Sequence, residues 1–169
     1  MKKIIISDVT LRDGNHAVGH QINKDMINIY SKFAEKNKID ILEIGHGNGL
    51  GASSLTIGRS KISNIQAIKI ARKNLKKTKL SVHSIPGFST LDDVKLAIDN
   101  GTDIVRVGCN SSDIDIIERQ FLYCKKNKVD SWCVFMMFHQ IYSKDKYISI
   151  VKNLKKIGIK TFIVMDSAG

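Results

Sequence analysis

Six short runs rich in β-branched residues recur along the 169-residue chain: "IIIS" (4–7), "IDILEIG" (39–45), "LSVHSI" (80–85), "DIVRVG" (103–108), "SWCVFMMF" (131–138) and "TFIVMD" (161–166). Most are continuously apolar rather than alternating, the pattern of strands covered on both faces. Amphipathic stretches lie between them. Met26, Ile29, Tyr30 and Phe33 fall on one helical stripe, as do Leu91, Val94 and Ile98, then Ile114, Ile117 and Phe121, then Tyr147, Ile150, Val151 and Leu154. A fifth helix is expected over 63–75. Thr90 with Asp93 three residues on has capping-box spacing, Ser143 can cap its helix, and Asn100-Gly101 and Gly158 supply reversals at helix ends. Strand and helix alternating without a Pro/Gly/Ser-rich linker implies parallel pairing through right-handed crossovers, hence one α/β domain over 1–169. An open doubly wound sheet and a (β/α)8 barrel both fit this pattern. A full barrel takes about 250 residues, so a barrel built from this chain is a partial one of about six strands and five helices.

The apolar content of 43% suits a core, and no apolar stretch approaches the ~18 residues that span a bilayer. "MKKIIIS" is too short, and too soon interrupted by Asp8, for a signal peptide, so a cytoplasmic chain without a membrane partner is expected. Cys109, Cys124 and Cys133 have no CxxC spacing, which argues for reduced thiols and against a structural zinc. The formal charge of +11 raises nucleic acid as a partner. The lysines, however, cluster at the ends of helical stretches, where cations favour the dipole, and no aromatic residues interleave with them. The expectation is a scattered, solvated basic surface and no nucleic-acid partner.

In both architectures ligands bind beyond the carboxyl ends of parallel strands. Asp8 to His16, Glu43 with His46, His83, Arg106 with Asn110, His139 and Asp166 all fall at or after such ends. This recurrence points to an active-site rim. Adjacent Arg12 and Asp13 suit a guanidinium that neutralises an oxyanion beside a carboxylate able to hold a divalent cation. His16 and His20 are four apart, but Gly14 and Gly19 argue against a helix and so against a two-histidine zinc site. His16 is retained as a general acid or base, with His20 structural and His83 and His139 hydrogen-bonded core or rim residues. "GHGNGLGASS" has the wrong spacing for a phosphate loop and reads as a tight loop over the rim.

The motifs "VTLRDGNHAVGHQ", "EIGHGNGLGASS", "PGFSTLDDVKLAIDNGTDIVRV", "VFMMFH" and "VMDSAG" occur in the order and spacing of one family. The chain resembles the amino-terminal part of the 4-hydroxy-2-oxovalerate aldolases, within the HMG-CoA-lyase-like barrels. The resemblance implies a (β/α)8 barrel and retro-aldol cleavage of 4-hydroxy-2-oxopentanoate to pyruvate and acetaldehyde, assisted by a divalent metal: manganese first, magnesium or cobalt otherwise. Arg12 would stabilise the pyruvate enolate, Asp13 ligate the metal and His16 take the proton of the 4-hydroxyl. Arg12, Glu43 and His46 would line the substrate. An acylating acetaldehyde dehydrogenase is the expected partner. The family's His-x-His on the seventh strand has no counterpart, Asn48 stands where Asp is usual, and "VGCNSSD" replaces a His-Cys-Thr-Glu run. A completing carboxyl-terminal part, or self-association through open strand edges, is therefore expected. A catalytically inactive partial barrel serving as an interaction subunit is the alternative, and a basic nucleic-acid-binding module the second.

Overall fold

The covered strands pair in parallel, in chain order. The computed structural model describes residues 4–110, 114–140 and 143–168. Its single sheet runs β1 (Ser7–Leu11), β2 (Ile41–Ile44), β3 (Lys79–Ser84), β4 (Ile104–Asn110), β5 (Asp130–Met136) and β6 (Thr161–Val164), each strand hydrogen-bonded to the next. Five helices, α1 (Lys24–Lys36), α2 (Asn64–Asn74), α3 (Leu91–Asp99), α4 (Ile114–Lys126) and α5 (Lys144–Lys156), join them, giving a half-barrel of six strands. Capping sets several helix starts. Ser63 and Gln66 form a capping box on α2, Thr90 and Asp93 form one on α3, and Ser143 accepts the Lys146 amide on α5.

Alternation along each strand divides the sheet into two faces. On β4, Val105, Val107 and Cys109 face the helices and are buried against a layer that includes Ile117, Phe121 and Cys124 of α4. Arg106 lies on the other, concave face, in register with His83 of β3 and Trp132 of β5. The apolar layer holds the fold together and the concave face carries the polar groups. All three cysteines are buried and unbridged.

The structure corrects three expectations. The first strand begins at Ser7 rather than Ile4: the pairing Ser7↔Ile41 and Asp8↔Leu42 sets the register, and Ile4, Ile5 and Ile6 are 84%, 62% and 54% exposed. Asp8 is consequently inside the strand and not on the rim, with its carboxylate accepting from the Tyr30 hydroxyl at 2.7 Å. On α1 the buried stripe is Ile27, Ser31 and Ala34; of the expected face Tyr30 is half-buried and packs on the core, while Met26, Ile29 and Phe33 are 45%, 68% and 54% exposed. The reason is the neighbour. Asn28 and Ser31 meet Asn74 of α2, and at about 100° per residue the larger apolar stripe lies roughly opposite that contact.

The basic residues follow the helix ends as expected. Lys36, Arg72 with Lys73, Lys125 with Lys126, and Lys155 with Lys156 sit in the last turns of α1, α2, α4 and α5. Every helix in a parallel unit runs back against its strand, so these seven residues lie at the end of the sheet away from the rim, while Lys24 and Lys144 start helices at the other end. Ser111 to Asp113, part of the altered stretch after β4, lie outside the described residues, as does Gly169.

Candidate active-site rim

Beyond Leu11 the chain enters a 3-10 turn, Asp13–Asn15, and the turn is fastened to the next strand. Asn15, 6% exposed, donates through Nδ2 to the Gly45 carbonyl at 3.0 Å and accepts from the Ile22 amide at 3.4 Å. The loops after β1 and β2 are thereby one unit. This turn brings Arg12 over the concave face. Its Nε donates to Glu43 Oε1 at 2.8 Å, while Nη1 donates to Asp13 Oδ1 at 2.8 Å and to the Gly47 carbonyl at 3.1 Å. Nη2 is left without a hydrogen bond among the described residues. Three fixed contacts orient a planar donor group and leave one of its nitrogens over.

Glu43 and His46, expected to line the substrate, are both fully buried, and their polar atoms are engaged within the protein. Glu43 Oε2 accepts from Arg106 Nη1 at 2.7 Å and from the Ser81 hydroxyl at 3.3 Å. Burial alone would push this carboxyl up, but Arg106, His83 and Arg12 outweigh it and hold its pKa below the usual value. His83 is itself neutral above about pH 4, so at neutral pH the two guanidiniums carry that stabilisation. His46 accepts the Asn48 amide at Nδ1 and donates from Nε2 to the Gly58 carbonyl, both at 3.1 Å. It stacks on His20 with ring centroids 3.7 Å apart.

His16 is exposed, with its ring 5.0 Å from that of His20 and 6.4 Å from that of His46. Burial and the neighbouring imidazoles lower the pKa of His20, and burial and His16 lower that of His46, so both favour the neutral form. The ring of His16 rests on the backbone of Gly47, where a Cβ would stand 2.3 Å from Nε2. Gly49, with φ +93°, is demanded by the turn and by the His83 carbonyl, which a Cβ would approach to 2.5 Å and to which the Leu50 amide donates at 2.8 Å. The glycine-rich loop is thus seated on β3 and offers a flat floor to His16. Gly47→Ala should push His16 aside without unfolding the chain, since the obstacle is a side-chain end. The expected result is an unchanged melting curve with activity of an assembled enzyme down on the order of 10 to 100-fold; intact activity would remove His16 from the site.

Of the remaining rim residues, His139 and Asp166 approach to 3.9 Å after β5 and β6. Arg106 was visible in the sequence only as one polar residue among several strand ends. Its signal was a lone charge between Val105 and Val107, which strand alternation turns away from the helices. Asp13 does not by itself make a metal centre. Its side chain is 61% exposed, one oxygen is bound to Arg12, and no group of three His, Cys, Asp or Glu among the described residues could hold an ion. The donors present do not fit a divalent cation, which needs several protein ligands or substrate atoms.

The neutral, buried His83 makes stability pH-dependent. Burial pushes its pKa down to about 4, whereas an unfolded chain protonates near ~6.5. Stability is full above the unfolded value and falls as pH drops through this window, by up to about 3 kcal/mol at its lower end. His20 and His46 act in the same direction. Thermal unfolding followed from pH 7.5 to 4.5 should show a falling Tm; a flat profile would contradict the buried-neutral assignment.

A parallel half-barrel with a guanidinium, a carboxylate and an imidazole at its strand ends defines a rim-site barrel of the (β/α)8 type. The chain belongs to the HMGL-like family, whose pattern residues 3–169 match. It is 41% identical over 167 residues to a 4-hydroxy-2-oxovalerate aldolase of Spirochaeta aurantia, covering 98% of this chain and 49% of that protein. A namesake from Pectobacterium atrosepticum is 36% identical over 169 residues, 99% of this chain and 49% of its own length. The chain therefore spans about half the length of the curated relatives it matches. The fold is shared with the carboxyl transferase domain of Rhizobium etli pyruvate carboxylase, crystallised with oxamate and biotin, at TM-score 0.77 and 15% identity over 99% of this chain and 31% of that one. A Bacillus subtilis HMG-CoA lyase superposes at TM-score 0.70 and 14% identity, over 97% of this chain and 58% of that one. No helix among the described residues is long and apolar enough to cross a membrane.

Proposed function

We propose that this chain supplies one half of the site of an aldolase acting on 4-hydroxy-2-oxo acids, with 4-hydroxy-2-oxopentanoate cleaved to pyruvate and acetaldehyde as the reference reaction. The observation that carries this reading is the Arg12 guanidinium, fixed at Glu43, Asp13 and Gly47 with Nη2 left over, while His16 rests on the same Gly47. In such a cleavage the 4-hydroxyl loses its proton, the C3–C4 bond breaks, and its electron pair becomes the enolate of pyruvate. The imidazole of His16 is placed to take that proton in this reading, and a preorganised guanidinium is suited to the enolate oxygen. Glu43 and His46 act from behind, the first by holding Arg12 and the second by holding the loop under His16. The similarity to 4-hydroxy-2-oxovalerate aldolases supports the substrate class.

Asp13 is the donor this chain would contribute to a divalent cation, manganese by preference and magnesium or cobalt otherwise, whose other ligands lie outside the described residues. A carboxyl-terminal half completes the barrel in this reading, and an acylating acetaldehyde dehydrogenase takes the aldehyde. Three buried, reduced thiols suit a cytoplasmic setting. The exposed stripe of Met26, Ile29 and Phe33 favours a second reading, a partial barrel that serves as an interaction subunit. The experiment is to join this chain to the carboxyl-terminal half of a relative and follow pyruvate release from 4-hydroxy-2-oxopentanoate, with His16→Asn as control. Release that His16→Asn abolishes supports the aldolase; a folded, closed barrel without release supports the interaction subunit.

A further inference from the structure

We propose that Arg106 is a positioning residue that withholds one oxygen of Glu43 from Arg12 and so keeps Nη2 of Arg12 free. This deepens the reading of Arg12 given above and rests on it for the consequence in turnover. The geometry is a shared carboxylate. Arg12 approaches Glu43 side-on from the end of β1 and holds Oε1 through Nε alone, at 2.8 Å; Arg106 reaches Oε2 from β4 with Nη1, at 2.7 Å. Side-on pairing of a guanidinium with a carboxylate ordinarily uses two parallel bonds, from Nε and the Nη on the same side. Here the second acceptor is taken. Nη1, on the far side of the guanidinium, donates to Asp13 and Gly47, and Nη2, the nitrogen beside Nε, has no acceptor among the described residues.

A second observation separates this role from mere packing. Arg106 Nε is buried and has no partner among the described residues, so Arg106 holds Glu43 through Nη1 while one of its own donors goes unmet. A purely structural position would be better served by an apolar side chain of similar length. Without Arg106, Glu43 Oε2 would keep only the long contact from Ser81, at 3.3 Å. Both oxygens would then be open to Arg12, and bidentate pairing would draw Nη2 inward. The groups facing Glu43 are Arg12 from the end of β1, Ser81 and His83 from β3, and Arg106 from β4; His83 is neutral above about pH 4. Loss of Arg106 therefore leaves Arg12 as the one nearby cation at neutral pH, and the buried carboxyl becomes easier to protonate.

The test is nuclear magnetic resonance on the chain itself, reading solvent exchange of the Arg12 guanidinium protons and titration of the Glu43 carboxyl. In the native chain Nε–H should exchange slowly and the Nη2 protons rapidly. Arg106→Met should slow Nη2 exchange at least tenfold and move the Glu43 titration upward. Arg106→Lys, which keeps a cationic donor for Oε2, should leave both near their native behaviour and serves if the methionine variant does not fold. In the joined barrel, Arg106→Met should lower kcat on the order of 10 to 100-fold with little change in KM, and Arg106→Lys should recover most of it. Slow Nη2 exchange in the native chain, unchanged exchange and titration in a folded Arg106→Met, or undiminished kcat in that variant would each overturn the proposal. A joined native barrel that releases no pyruvate counts against the proposed function alone, and the exchange measurement then decides this inference.

Discussion

Arg12→Lys should lower kcat of the joined barrel by a factor of ~100 to 1,000 while changing KM far less. Arg12 spends Nε and Nη1 on Glu43, Asp13 and Gly47, and these contacts hold the remaining nitrogen in one place. An ammonium has no planar fork. It would settle against Oε1 of the fully buried Glu43 carboxylate, the oxygen Arg106 does not hold, and nothing would remain for an enolate oxygen. Because the enolate's charge develops during cleavage, the loss falls on the transition state more than on substrate binding. Steady-state kinetics on the variant, with circular dichroism to confirm folding, checks this. A change confined to KM would make Arg12 a binding residue, and no change at all would make it structural.

The chain by itself should release no pyruvate from 4-hydroxy-2-oxopentanoate at any manganese concentration the assay tolerates, and joining the remaining half of a relative should restore release from zero. The reason is the donor count. Asp13 is exposed and shared with Arg12, and no trio of metal-binding side chains occurs among the described residues. A single carboxylate holds a divalent cation too weakly for work on an oxo acid. Arg12 and His16 can still attract a small 2-oxo acid, but attraction equal in ground and transition states yields no turnover. A coupled pyruvate assay with and without the complementing half, with Asp13→Asn as control, checks the prediction. Metal-dependent release from residues 1–169 alone would contradict it and point to His46, His83 or His139 as recruited ligands.

Element type was legible wherever a local signal existed. The six apolar runs are the six strands, and Ser63, Thr90 and Ser143 start helices as their side chains suggest. Boundaries that depend on a partner were not. "IIIS" is as good a strand as any in isolation, yet β1 begins at its last residue because the ladder with β2 starts at Ser7↔Ile41, and Ile4 to Ile6 are left exposed. The stripe on α1 was a correct amphipathic pattern assigned to the wrong side. Helical periodicity reports that an apolar face exists and says nothing about which neighbour it meets.

The sequence by itself determined the alternation of strand and helix and the placing of Arg12, Asp13, His16, Glu43 and His46 at the ends of β1 and β2, because these follow from residue patterns over short distances. Only the tertiary structure decided what those residues do to one another. Glu43 lies 31 positions from Arg12 and 63 from Arg106, and their sharing of one carboxylate arises from the parallel strands β1 to β4, which bring the end of β1, β2 and β4 to one concave face across β3. The same holds for the basic residues in the last turns of α1, α2, α4 and α5: dipole preference places each of them locally, but parallel topology sets them at the end of the sheet away from the rim. Side-chain roles at a rim are set by distances through space, which adjacency in a chain does not encode.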